Sequence, residues 1–275
     1  MTLTILRRLA LCGTVVAALS LIAACASSGR NAVPSGTAQP DKFLYDKGNE
    51  QLQAKKWLTA REYFKRVTET YTQSPVRPDA KLGVGDTYLG ENTTESLLLA
   101  IAEFQEFLSY YPTHARADYA QYKLGMAHFK QMRSPQRDQT ETRDTIREFD
   151  AFLVRYPNSE LVSEVKGKLR EAKDRLGSSE YEVGRFYYRQ KWFPGAIDRL
   201  TLLLKNDPEF SHRDGVYFYL AETYFKIGRL PEALPYYDRL LNEFEQSEFL
   251  REAKRRIEEI KNTPPPAAAT ATPAT

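Results

Sequence analysis

The sequence predicts an all-α chain, built as a solenoid of about five helical hairpins with a capping helix at the C-terminal end. Three observations carry that expectation. Small and aromatic residues recur at one fixed spacing through most of the chain, apolar residues fall at helical rather than alternating intervals, and prolines stand where second helices should stop. With 275 residues, 42% hydrophobic and 27% charged, the chain can fill one large domain or two small ones, and 17 Tyr and 14 Phe supply a sizeable core.

Residues 1–24 carry Arg7 and Arg8 ahead of an apolar run that ends in small residues, the anatomy of a secretory signal peptide rather than a permanent membrane span. The run closes on Ile22, Ala23, Ala24, Cys25, which resembles a bacterial lipobox, so Cys25 is the expected lipidation site. Cys12 follows bulky Leu11 and does not fit, and removal of the leader leaves Cys25 as the sole thiol, with no intramolecular disulfide possible. Two or more acyl chains hold a protein stably on a bilayer, where one is marginal. Ala26 stands where an aspartate would retain many lipoproteins at the inner membrane, so the expected location is the outer membrane, lipid-anchored and facing the periplasm. Residues 25–40 then form the lipidated cysteine and a polar, flexible tether.

The repeat is clearest in YEVGRFYYRQKWFPGAIDRLTLLLKNDP, residues 181–208. From Gly184, Tyr187 follows after three positions, Ala196 after twelve, Leu200 after sixteen, Leu203 after nineteen and Pro208 after twenty-four. These are the positions of a tetratricopeptide repeat, in which small residues let two antiparallel helices approach and the proline ends the second. The same ruler finds Gly48, Ala60, Phe64 and Val67 in the first hairpin, with Pro75 three residues late. It finds Gly85, Ala100, Phe104, Phe107 and Pro112 in the second after three extra residues, and Gly125, Phe149, Phe152 and Pro157 in the third after eight. The fifth runs from Ala221 through Tyr224, Ala233, Tyr237 and Leu240, and SEFLREAKRRIEEIKN suits the capping helix. The expected repeat region is 41–262, each hairpin stabilised by stacking on its neighbours. Residues 263–275, TPPPAAATATPAT, make a disordered Pro/Ala tail by composition.

Catalytic constellations are thin, and no catalytic, cofactor or metal residues are expected. His114, His128 and His212 lack companions at metal-ligand spacing. GVGDTYLG offers Gly83, Gly85 and Gly90 but matches no phosphate-binding pattern and follows no strand, and the repeat register accounts for Gly85 as a helix contact. With the leader removed, the formal charge falls from +3 to +1, too close to balance for a nucleic-acid footprint. Trp57 and Trp192 precede Ala60 and Ala196 at similar places, and serve either as packing between helices or as exposed anchors for a partner.

The eight-residue insertion in the third hairpin lies within FKQMRSPQRDQTETRD, a polar, proline-led stretch ahead of an amphipathic helix. The insertion and the two helical segments after it carry a resemblance. RDQTETRDTIREFDAFLVRYPNSE and KDRLGSSEYEVGRFYYRQKWFPGAIDRL resemble the BamD (ComL) family, through Arg137, Asp138, Gln139, Thr140, Phe149, Tyr156, Pro157, Asn158, Ser159, Tyr181, Glu182, Tyr187 and Tyr188. A generic repeat does not require the first four. The chain departs in its Pro/Ala tail and in a fifth repeat without its proline.

The resemblance implies a scaffold of the outer-membrane β-barrel assembly machinery, without catalysis or cofactor. Its expected partners are the periplasmic domains of BamA, other assembly-machinery lipoproteins, unfolded outer-membrane β-barrel substrates and, through the lipid, the outer membrane, with no nucleic acid. Arg137, Asp138, Gln139 and Thr140 are expected to form a fixed turn in which Asp138 or Thr140 caps the second helix and Arg137 is presented to a partner or a neighbouring hairpin; Arg199, which the repeat register leaves off the core on the second helix of the fourth repeat, is a further candidate contact. A turn that only orders its own hairpin is the competing expectation. Two other functions share parts of the pattern: another periplasmic repeat lipoprotein, associated with Tol-Pal or peptidoglycan, and a lytic transglycosylase. No sustained heptad run precedes residue 41 to suit the first, and no residues remain for a catalytic domain to suit the second.

Overall fold

The computed structural model describes residues 33–262. The leader, Cys25, the first part of the tether and the Pro/Ala tail lie outside the described residues. The described residues hold eleven helices and no strand, and divide into two compact units after Pro112. The first unit contains α1 (Pro40–Gln53), α2 (Trp57–Thr70), α3 (Arg77–Glu91) and α4 (Thr94–Tyr110). The second contains α5 (Ala117–Phe129), α6 (Thr140–Arg155), α7 (Val162–Arg189), α8 (Phe193–Asn206), α9 (Arg213–Lys226), α10 (Leu230–Glu243) and α11 (Leu250–Lys261).

Consecutive helices pair as the spacing requires. In α2 the buried residues are Ala60, Phe64 and Val67, one helical face, and the Phe64 ring lies where a Cβ on Gly48 of α1 would fall, 2.5 Å from its nearest carbon. The second hairpin repeats this contact, with Gly85 of α3 against Phe104 of α4 at 2.7 Å. A left-handed Asn92 (φ 58°) ends α3, and Thr93 and Ser96 form a reciprocal capping box at the start of α4. In the second unit Gly125 meets Phe149, Gly184 meets Leu200, and Ala221 and Tyr237 share one fully buried cluster. All five register contacts are therefore in place. The glycines of GVGDTYLG are helix contacts too: Gly83 faces Phe64, Gly85 faces Phe104 and Gly90 faces Trp57.

A second device closes the hairpins. A serine in the turn after a second helix donates to an aspartate at the start of that hairpin's first helix: Ser74 to Asp41 (2.6 Å), Ser159 to Asp118 (2.5 Å) and Ser247 to Asp214 (2.7 Å). Ser211 does the same to Asp174 (2.7 Å), midway along α7. Ser74, Ser159 and Ser247 also accept a backbone N–H two residues on, so each one orders its own turn while tying down a neighbouring helix. The Ser of Tyr-Pro-Asn-Ser is therefore a structural clasp.

α7 departs from the repeat pattern in length, at 28 residues against 12–17 for the other helices. Its first half packs Val165 and Leu169 against Phe149 and Phe152 of α6, while its second half presents Gly184 to α8. Gly177, mid-helix, admits the ring of Phe210, which a side chain there would displace. At the end of the chain, Ala253, Ile257 and Ile260 of α11 cover the fifth hairpin, as a capping helix should.

Candidate functional site

The insertion separates α5 from α6 and is rigidly built. Gln139, only 4% exposed, donates from Nε2 to the Ser134 carbonyl (2.8 Å) and the Arg137 carbonyl (2.9 Å), and its Oε1 accepts from the Thr142 hydroxyl (2.8 Å). Arg137 N–H donates to Ser134 O at 2.9 Å, closing a tight turn. Asp138 Oδ1 accepts the Thr140 N–H at 3.0 Å, and that bond holds its carboxyl below the usual carboxylate range. Gln139, and neither Asp138 nor Thr140, stands at the N-cap position of α6, without a side-chain capping bond; Asp138 instead closes a local turn onto the Thr140 N–H, and Thr140 opens the helix. From α7, Arg175 reaches back to the Arg133 carbonyl at 3.0 Å.

The turn orders its own hairpin through Gln139 and Asp138, and it leaves Arg137 exposed. Among the described residues the Arg137 guanidinium makes no hydrogen bond or ion pair.

Arg199 lies elsewhere in the same unit. Its side chain is about half exposed, 3.6 Å from Glu180, on the rim of a cavity of about 360 Å³ between α6, α7 and α8. Arg143, Ile146, Lys173, Leu176 and Leu202 line the same cavity. Arg143 sits three residues after Thr140, so the rigid turn fixes the start of the helix that forms one wall. The cavity does not include Arg137. Its lining is mixed, apolar along Ile146, Leu176 and Leu202, with basic Arg143, Lys173 and Arg199 alongside acidic Glu180 and Asp207.

The tryptophans divide. Trp57 covers Gly90 and is packing, whereas Trp192 is 55% exposed, standing edge-on to Tyr187 at 4.6 Å with Phe186 alongside. Trp192 and Phe186 are exposed, the Tyr187 ring between them is half-buried, and Trp192 also covers Gly195.

Two polar groupings escape a linear reading of the chain. His128 of α5 meets Glu141 of α6, Nδ1 to Oε2 at 2.8 Å, with Asp144 near both; the three come together only because the insertion folds back. Glu222 of α9 is buried and accepts from Tyr237 Oη (2.6 Å), Arg256 Nε (2.7 Å) and Tyr188 Oη (3.3 Å), joining four helices at one carboxylate. A carboxylate in a helix reads as solvent-facing unless its partners are known, and these lie 15 to 34 residues away. No described helix is long and apolar enough to cross a membrane.

Comparison with known proteins agrees with the resemblance. The model of a family described as YfiO, outer membrane lipoprotein, matches residues 37–233. The outer membrane protein assembly factor BamD of Caulobacter vibrioides is 28% identical over 213 residues, 77% of this chain and 68% of that protein. BamD of Rickettsia prowazekii is 24% identical over 230 residues, 81% of this chain and 88% of the relative. Among solved structures, the TPR2AB-domain:pHSP90 complex of yeast Sti1 aligns with a TM-score of 0.45 at 14% identity, covering 80% of this chain and 84% of that one, too loose a likeness to carry an argument.

Proposed function

The chain belongs to the YfiO family of outer membrane lipoproteins, and from that premise we propose that it is an outer membrane protein assembly factor, a scaffold that binds and positions other proteins without catalysing a reaction. The observation that carries this reading is the family match across the helical hairpins, together with relatives named as assembly factors over most of their length. Cys25 is the proposed lipid anchor, placing the hairpins on the periplasmic face of the outer membrane. The proposed partners are the periplasmic domains of BamA, companion lipoproteins and unfolded β-barrel substrates.

The site residues take distinct roles in this proposal. Gln139 and Asp138 hold the turn, Thr140 starts the helix, and Arg137 and Arg199 are the partner contacts. Arg is enriched at such contacts because its planar fork binds carboxylates bidentately. An Arg137→Ala variant is expected to melt within about 1 °C of the parent, since a surface change away from special features costs within about 0.5 kcal/mol, yet to lose much of its BamA binding. Gln139→Ala removes buried hydrogen bonds and should cost about 1–3 kcal/mol of stability. If Arg137→Ala leaves BamA binding intact, the turn serves only its own hairpin.

Depletion of the protein from its own bacterium tests the function itself. Folded β-barrel proteins are expected to fall in the outer membrane fraction while their unfolded forms collect in the periplasm. Unchanged barrel levels after depletion would refute the assembly role.

A further inference from the structure

We propose that the second unit carries its own binding surface for an anionic phospholipid bilayer, at the edge where α7, α9 and α11 end. The three helices run in step, 34 residues apart: Tyr188 Oη donates to the Glu222 carboxylate at 3.3 Å, and Arg256 Nε donates to it at 2.7 Å. Their last residues, Arg189, Lys226 and Lys261, therefore lie within about one helical turn of a common level, together with the turns that follow α7 and α9. Exposed apolar side chains stand among these cations: Phe186 at 49%, Trp192 at 55% and Ile227 at 39%. Of the acids near the edge, Glu232 is held by Arg229 at 2.7 Å, Glu258 by Lys261 at 3.5 Å and Glu259 by Arg256 at 3.0 Å. Asp198 stands on the second turn of α8, whose first turn carries no acid. Arg189, Lys191 and Lys226 are exposed and make no ion pair among the described residues. The turns at the opposite edge, 207–212 and 244–249, expose Glu209, Glu245 and Glu248 instead.

Cations in the last turns of α7 and α9 complement the helix dipoles, but that role does not account for the apolar residues beside them. Tryptophan, exposed apolar residues and unpaired Lys and Arg together are the composition of a membrane–water interface, where rings sit at headgroup level and cations meet lipid phosphates. The edge consists of helix ends and tight turns, with Lys191 (φ 59°) and Gly228 (φ 76°) left-handed at their tips. Such projecting ends can meet a flat surface all at once, whereas an extended peptide binds along a sheet edge or in a groove. The inference rests on the proposed Cys25 anchor for the membrane that the chain faces. Acyl chains attach the protein there without orienting it, and contact through this edge would set α7, α9 and α11 end-on to the leaflet.

The test is flotation of the purified chain from residue 25 onward, carrying Cys25→Ser so that no acyl chain contributes, with vesicles of phosphatidylcholine alone or mixed with phosphatidylglycerol. Binding is expected to the phosphatidylglycerol vesicles, to fall as salt is raised, and to be far weaker to phosphatidylcholine alone. Removing three cations together, Arg189→Gln, Lys191→Gln and Lys226→Gln, should weaken it about a hundredfold. An equal charge change away from the edge, Lys205→Gln, Arg251→Gln and Lys254→Gln, should weaken it much less; all six side chains are exposed, so both variants should melt with the parent. A second measurement needs no charge change: with Cys25 replaced, a polarity-sensitive dye on Ile227→Cys should shift to shorter wavelength on the vesicles, and the same dye on Glu209→Cys should not. Absence of binding to phosphatidylglycerol vesicles overturns the proposal, as does equal binding to phosphatidylcholine. Equal losses in the two triple variants, or equal dye shifts at the two positions, would also overturn it by removing the edge from the contact. Because neither BamA nor the acyl chains take part, failure here leaves the assembly role and the anchor standing, and their failure leaves this binding intact.

Discussion

An Ala196→Arg variant is expected to lose about 4 kcal/mol or more of stability, from overpacking at about 1–3 kcal/mol plus the burial of an unpaired charge. Ala196 is fully buried on α8, where the repeat spacing requires a small side chain for the close approach of α7. Gly184 on the facing helix already meets Leu200 there, so the helices have no room to part without opening the cluster around Leu200, Leu203 and Phe210. At about 2–4 °C per kcal/mol for a chain of this size, the melting temperature should fall by roughly 10 °C. Thermal denaturation checks this directly, and an unchanged melt would refute the register from which every hairpin boundary derives.

Glu222→Ala should be the second large loss, about 3 kcal/mol. The change leaves the Arg256 guanidinium, only 12% exposed, without its buried partner, and strands the Tyr237 and Tyr188 hydroxyls. Arg256 keeps Glu259 at 3.0 Å and stacks on Phe225 at 4.5 Å, which limits the damage. Burial and the bond to Glu222 together raise the Tyr237 hydroxyl far above its ordinary range, so it stays a donor at every physiological pH. Replacing Glu222, Arg256 and Tyr237 together by Leu, Met and Phe should recover most of the loss, because apolar groups of similar shape need no partners. Denaturant melts of the single and triple variants separate a cost of stranding from a net benefit of the network; equal losses in both would contradict this reading. The network also explains how α11 is held: Arg256 of that helix reaches the same carboxylate as Tyr237 of α10 and Tyr188 of α7.

How far these features are legible in the sequence depends on what kind of contact makes them. Spacing alone pairs Gly125 with Phe149 across an eight-residue insertion, because the close approach of two helices demands a small residue opposite a large one whatever loop joins them. The turn that Asp138 closes onto the Thr140 N–H is local chemistry and is equally readable, whereas the sequence does not show that Gln139 takes the N-cap position. α7 is different: residues 162–180 have no place on the repeat ruler, and only packing against two hairpins at once accounts for their helix. The Ser–Asp clasps join residues 33 to 41 positions apart, and each member alone is an ordinary turn or cap residue. His128 and Glu141 likewise stand apart along the chain, and the turn built by Gln139 creates their proximity. The register puts Arg199 off the core, and the structure places it on a cavity rim, but the cavity's other walls come from α6 and α7.

The division of labour within the insertion stems from burial. Gln139 is enclosed and fully used, while Arg137 is open to solvent, so the same four-residue stretch can be required for stability and for contact without one role implying the other. Binding by the Arg137→Ala variant decides between the two expectations for the turn.

The central claim, that the chain is a scaffold for outer-membrane protein assembly, is tested most directly by affinity capture of the tagged lipoprotein from detergent-extracted membranes, with mass spectrometry of the captured proteins. BamA is expected at near-stoichiometric amounts, reduced in the Arg137→Ala variant. Capture dominated by Tol-Pal or peptidoglycan-associated proteins, with BamA absent, would contradict it.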